Sequence, residues 1–151
     1  MQRKDPIQFH YLAKLSSLAN RKQLKRFIRK ILHTEGKKIN HINYIFCSDK
    51  YLHRLNKKYL NHNSFTDIIS FELSSPNEPA LSDIYISIDR VRENALQFKT
   101  PFYKELHRVV FHGALHLCGF KDKTLNQAQE MRRKENFYLA KYFSFHVKQN
   151  S

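Results

Sequence analysis

Residues 100 to 122 read TPFYKELHRVVFHGALHLCGFKD, and the arrangement of the whole chain follows from this run. Thr100 offers a capping hydroxyl, and Pro101 is the residue whose missing N–H costs nothing at the first helical position. A single central helix is therefore expected up to Cys118, stopped at Gly119. Four residues advance a helix by about one turn, so His112 and His116 share a face with Cβ atoms about 6 Å apart. Such a pair is half a metal site. Gly119 permits a positive φ and lets the chain double back, which makes Asp122 the first carboxylate able to reach the same ion. Gly113 allows another element to approach the helix closely, while Leu115 and Leu117 point away from the histidine face and lock the helix into the core.

Two histidines four apart on an apolar helix also occur as ordinary buried residues, and it is the surrounding glycines, leucines and downstream carboxylate that favour an ion. A structural zinc site is closed by four ligands, whereas three ligands and an open position mark a catalytic one. Cys118 lies about 200° around the helix from His116 and reads as a core thiol rather than a fourth ligand. In the metallopeptidase pattern HExxH the residue after the first His is the general base; here it is Gly113, so peptide hydrolysis ranks second.

Outward from this helix, Ile7 to Tyr11 reads as a first strand. Asn20 is the expected cap of a helix to about Thr34, with Gly36 just beyond its end. In that helix Leu24, Phe27, Ile28, Ile31 and Leu32 fall on one face. Arg21, Lys22, Lys25, Arg26, Arg29 and Lys30 gather on the other, a candidate surface for a nucleic-acid backbone. Ile39 to Cys47 has strand composition, and Ser48 or Asp49 caps a short helix carrying Leu52, Leu55 and Tyr59 inward. Asp67 to Leu73 and Asp83 to Ile88 read as strands separated by a loop with Pro76 and Pro79. Asp89 is the expected cap of a helix to about Phe98. A last helix from about Leu125 to Tyr142 carries Met131, Phe137, Leu139 and Phe143; Phe143, Phe145 and Val147 are expected to finish the core, with contact to a partner as the alternative. The expected class is α+β: one domain spanning 1–151, a mixed sheet of about four strands, about five helices, and a metal site on the central helix and its following turn.

Composition narrows the partners. Lys and Arg number 27 against 13 Asp and Glu, leaving +14, and the sequence pI is about 9.9. Such a surface favours nucleic acid, with an anionic membrane face as second choice. The mean hydropathy of −0.64 reflects this charge, because hydrophobic residues still make up 41% of the chain. No run reaches the roughly 18 apolar residues needed to cross a bilayer. Two cysteines, Cys47 and Cys118, without a secretory leader, read as reduced thiols of a cytoplasmic protein.

The residues His112, Gly113, Leu115, His116, Leu117 and Gly119 resemble the HGxLHLxG core of the YbeY family of metal-dependent endoribonucleases, also called rRNA maturation factors. The resemblance extends to LNKKY at 55–59, TDIISF at 66–71 and Asp83-Ile84. It implies an α+β fold, one divalent ion with zinc the first choice, and hydrolysis of single-stranded RNA. Maturation of the small-subunit rRNA 3′ end and ribosome quality control are implied with it, and no nucleotide cofactor. His112, His116 and Asp122 would be the ligands and, through the ion, the catalytic residues. Asp122 stands where the family typically has a third His, which widens the choice of metal toward manganese or iron. Leu60 stands where the family usually has an Arg thought to meet RNA. Lys57 and Lys58 are nearby candidates for binding RNA, and His62 for moving a proton. Asp67 is a candidate to orient a ligand, although a carboxylate at a strand start more commonly bonds backbone amides. A noncatalytic, RNA-binding ribosome-assembly protein with a structural ion is the remaining alternative.

Overall fold

Hydrophobic residues that alternate or run together over short stretches make strands, and here four such stretches form one sheet in the computed structural model. The structure describes residues 4–15, 18–62 and 64–149, with side chains through residue 144. The chain runs β1 (Ile7–Tyr11), α1 (Arg21–Thr34), β2 (Ile39–Cys47), α2 (Asp49–Tyr59), β3 (Ile68–Glu72), β4 (Ala80–Ser87), α3 (Ile88–Gln97), α4 (Phe102–Leu117) and α5 (Leu125–Gln149). The sheet order is β1-β2-β4-β3: β1 and β4 lie parallel to β2, and β3 is antiparallel to β4. This is the expected α+β class, with a four-stranded mixed sheet and five helices.

The core lies between the sheet and the layer of α1, α4 and α5. Phe27 of α1 packs on Phe111 of α4 and Tyr142 of α5 with ring centroids 5.3 and 5.0 Å apart. The predicted apolar face of α1 is buried in full. Tyr44, fully buried on β2, donates its hydroxyl to the carbonyl of Val110 at 2.9 Å, which pins α4 to the sheet. Gly113 explains how close the two come: a Cβ there would meet Ile68 Cδ1 at 3.1 Å and Ile84 Cγ2 at 3.2 Å. Gly36 and Gly119 adopt φ of 84° and 99°, as the helix ends require.

Several local expectations are corrected. Pro101, not the Thr100 hydroxyl, occupies the N-cap of α4, and no side chain caps that helix. Asn20 is the N-cap of α1 but in the left-handed region and without a side-chain hydrogen bond. Ser87 rather than Asp89 caps α3, its hydroxyl accepting from Arg90 N; Asp89 instead accepts from Asp49 N at 2.8 Å and ties the start of α2 to α3. Ser48 caps α2 as expected. Strand β4 begins at Ala80 and ends at Ser87, earlier at both ends than expected, because β2 supplies parallel partners from Ala80 onward. Helix α5 extends to Gln149, seven residues past its expected end. Tyr59 and Phe137 are exposed, and Tyr138 and Tyr142 take the core positions on α5 beside Met131 and Leu139. Phe143 packs partly buried against the core, and the side chains of Phe145 and Val147 lie outside those described.

Candidate active site

Helix α4 buries ten of its 16 residues, and few of its side chains turn toward solvent. His112 is one of them, and it borders a cavity of about 510 Å³ between α3, α4, α5 and the start of β3. His116 and Asp122 line the same cavity. Asp122, carried back by the turn at Gly119, places Oδ2 3.4 Å from His112 Nε2. His116, one turn along α4, is exposed. Convergence is therefore incomplete: among the described residues no group of three His, Cys, Asp or Glu side chains is gathered tightly enough to enclose an ion. The pair is brought together, and the second imidazole stands on the same wall.

The other ring nitrogen of His112 has a specific partner. Glu135 of α5 accepts from His112 Nδ1 at 2.7 Å and is itself buried. A carboxylate can only accept, so the proton sits on Nδ1 and the lone pair of a neutral ring on Nε2, toward Asp122. Arg108, one turn before His112 on α4, holds Glu135 with Nη1 3.2 Å from Oε1, and also bonds Asn136 Oδ1 at 2.8 Å. Glu105 stands 3.5 Å from Arg108 Nε, and Arg132 3.7 Å from Glu135. Burial works against a charged His112, but the hydrogen bond and charge of Glu135, together with Asp122 and Asp67, outweigh it and raise its pKa. Burial raises the Asp67 carboxyl, a shift that His112 partly offsets. Asp67 accepts from Asn94 Nδ2 at 3.4 Å on the cavity wall rather than meeting a histidine ring by hydrogen bond, and its backbone carbonyl accepts from Ser87 N.

These distances test whether the residues suit a metal ion. Two donor atoms each about 2.0–2.2 Å from a tetrahedral zinc lie about 3.3–3.5 Å apart, the separation of His112 Nε2 and Asp122 Oδ2. The Glu135–His112 contact has the form of the carboxylate–histidine pairs that orient metal-binding imidazoles. The donor set fits. Cys118 is half-buried against the core, and burial pushes its thiol up to about 12, which disfavours the thiolate a metal needs.

Other candidates lie elsewhere. None of Arg21, Lys22, Lys25, Arg26, Arg29 and Lys30 lines this cavity, and Arg29 is paired with Asp5. Lys57, Lys58 and His62 are exposed at the end of α2 and after it, also outside the cavity lining. Glu135, Arg108 and the rim residue Phe98, which is 57% exposed, were not singled out from the sequence. One signal was present: Glu135 follows Met131 by four residues, so a core-facing Met places that carboxylate on the inward face of α5.

The sheet order, the five helices and the imidazole–carboxylate cavity define a small α+β protein whose polar site is built on its most buried helix. Residues 11–143 match the family model described as endoribonuclease YbeY. Proteins named endoribonuclease YbeY are 46% identical over 143 residues in Christiangramia forsetii, covering 94% of this chain and 97% of that one. In Flavobacterium psychrophilum the figure is 51% over 124 residues, 82% and 86%. The solution structure of TM1509 from Thermotoga maritima superposes with a TM-score of 0.65 at 28% identity, over 93% of each chain. The chain belongs to the endoribonuclease YbeY family.

Proposed function

We propose that this protein is a metal-dependent endoribonuclease that cuts single-stranded RNA in the cytoplasm, acting in maturation of the small-subunit rRNA 3′ end and in ribosome quality control. One observation carries the metal-dependent part: His112 is held at Nδ1 by buried Glu135 while its Nε2 faces Asp122 at 3.4 Å. His112, His116 and Asp122 would hold one divalent ion, zinc first. When bound, that ion supplies a Lewis acid that polarises a phosphodiester or a water molecule.

The chain's own residues do the rest. Glu135 keeps His112 in the tautomer that presents a lone pair to the cavity, and Arg108 keeps Glu135 in place. Phe98 offers a half-open aromatic ring at the rim, suited to stacking an unpaired base. The net charge of +14 attracts the phosphate backbone, with the outer face of α1 and Lys57 and Lys58 as its contacts. No helix among the described residues is long and apolar enough to cross a membrane. Peptide hydrolysis is disfavoured because Gly113 stands against Ile68 and Ile84, where no carboxylate base can be placed.

Metal content and RNA cleavage measured in one preparation of the wild type, His116→Ala and Asp122→Ala test the proposal. The wild type should carry one ion per chain and cut single-stranded RNA. Both variants should lose cleavage while retaining RNA binding. Undiminished cleavage by protein stripped of metal would refute it, as would digestion of casein with RNA left intact.

A further inference from the structure

A second cavity, of about 600 Å³, opens on the far side of His116. It lies between the turn after α1, the loop joining β3 to β4, and the turn after α4, and His116 lines both it and the first cavity. Of the candidate metal-binding, proton-moving and RNA-binding residues read from the sequence, His116 alone lines it.

An endonuclease cuts within a strand, so nucleotides on both sides of the broken bond must have somewhere to lie. On the proposed function, the first cavity takes the nucleotides on one side. From the endoribonuclease reading, on which this step rests, and from the shared wall at His116, we infer that the second cavity is a binding subsite for the single-stranded RNA segment flanking the scissile phosphodiester.

The chemistry of its walls suits a polyanion with unpaired bases. Lys37 Nζ donates to the Pro76 carbonyl at 2.8 Å, which places an ammonium group across the cavity wall. Lys121 is exposed on the turn opposite. Two acids also line the cavity. Glu35 is offset by Lys134 at 3.2 Å and by the Tyr138 hydroxyl, while Glu72 lies exposed on β3. Phe120, half-buried beneath the Lys134 ammonium 5.3 Å from its ring centroid, adds an aromatic edge to the wall. Base stacking on aromatics and charge contacts to phosphate are the usual means of holding a single strand without sequence preference.

Fluorescence anisotropy with cleavage-resistant 2′-O-methyl oligoribonucleotides of three and eight residues tests the subsite. The wild type should bind the eight-mer at least about tenfold more tightly than the three-mer. Lys37→Glu and Lys121→Gln should each weaken the eight-mer several-fold and leave the three-mer within about twofold. Each should also flatten the slope of log affinity against log salt by about 0.7. Lys121→Gln guards against a loop disturbed when the Lys37–Pro76 hydrogen bond is removed, and thermal unfolding checks both variants. Equal weakening on both lengths, or no selective effect from either variant, would overturn the subsite. Cleavage of unmodified RNA is assayed separately: a wild type that cuts nothing yet keeps this length dependence refutes the nuclease reading while supporting the cavity as an RNA subsite.

Discussion

Helices α1 and α4 pack in the same layer and touch through Phe27 and Phe111, yet they use polar residues in opposite ways. Five of the 14 residues of α1 are buried, all of them apolar, and its charged residues face outward. Ten of the 16 residues of α4 are buried, and they include Glu105 and His107. Of the charges on α1, Arg21, Lys22, Arg26 and Lys30 are exposed and solvated without a partner's help, while the half-buried Arg29 pairs with Asp5. A polar group on α4 needs a partner, because burying it unpaired costs about 1–3 kcal/mol. His107 accordingly hydrogen-bonds the Tyr103 carbonyl at 2.6 Å, and His112 bonds Glu135. The difference teaches where to look for chemistry: in the partnered polar groups of an enclosed helix, before the density of surface charge.

That contrast can be broken by substitution. The largest effect is expected at His112. His112→Ala should reduce RNA cleavage by at least about a thousandfold, near 4 kcal/mol of barrier, if the proposed role as a metal ligand holds. An unchanged turnover number would end the assignment of α4 as the active helix. On α1 the equivalent blow is to stability: Leu24→Ala, at a fully buried position, should cost about 2–5 kcal/mol in urea unfolding while the folded fraction cuts RNA at the normal rate.

Glu135→Gln sharpens the comparison within the site. It should weaken metal affinity by about 10–100-fold in competition with a chromogenic chelator, with secondary structure intact. Affinity equal to wild type would mean that Glu135 serves only to neutralise Arg108. The smallest effect belongs to the outer face of α1. Changing Arg21, Lys22, Arg26 and Lys30 to Ser should leave kcat unaltered and flatten the salt dependence of RNA binding by up to about 0.7 for each phosphate no longer neutralised. A fall in kcat would show that α1 reaches the reacting groups after all.

Most elements were legible because their signals are local. The apolar stripe of α1, the composition of β2 and the stops at Gly36 and Gly119 all depend on neighbours within a turn or two. Caps were less legible. Thr100 and Asp89 have the right chemistry, but Pro101 and Ser87 hold the N-cap positions; Asn20 does hold its own, with a left-handed backbone and no side-chain hydrogen bond. A cap depends on where the chain enters the helix, which packing decides. Tyr59 and Phe137 misled for a related reason: each sits on the edge of an apolar stripe, and the core was already filled by Leu52 and by Tyr138.

At the site, spacing alone sets His112 and His116 one turn apart and puts a carboxylate past the glycine, since helical geometry and a positive φ are properties of a few adjacent residues. Long-range packing decided what spacing cannot express. Glu135 meets His112 from 23 positions away, Asp122 comes within 3.4 Å of one imidazole while His116 stays exposed on the cavity wall, and a second cavity shares that residue. Such an arrangement depends on how α5 and three separate loops dock around α4, and docking is decided by the fit of whole surfaces, which no short stretch of sequence contains.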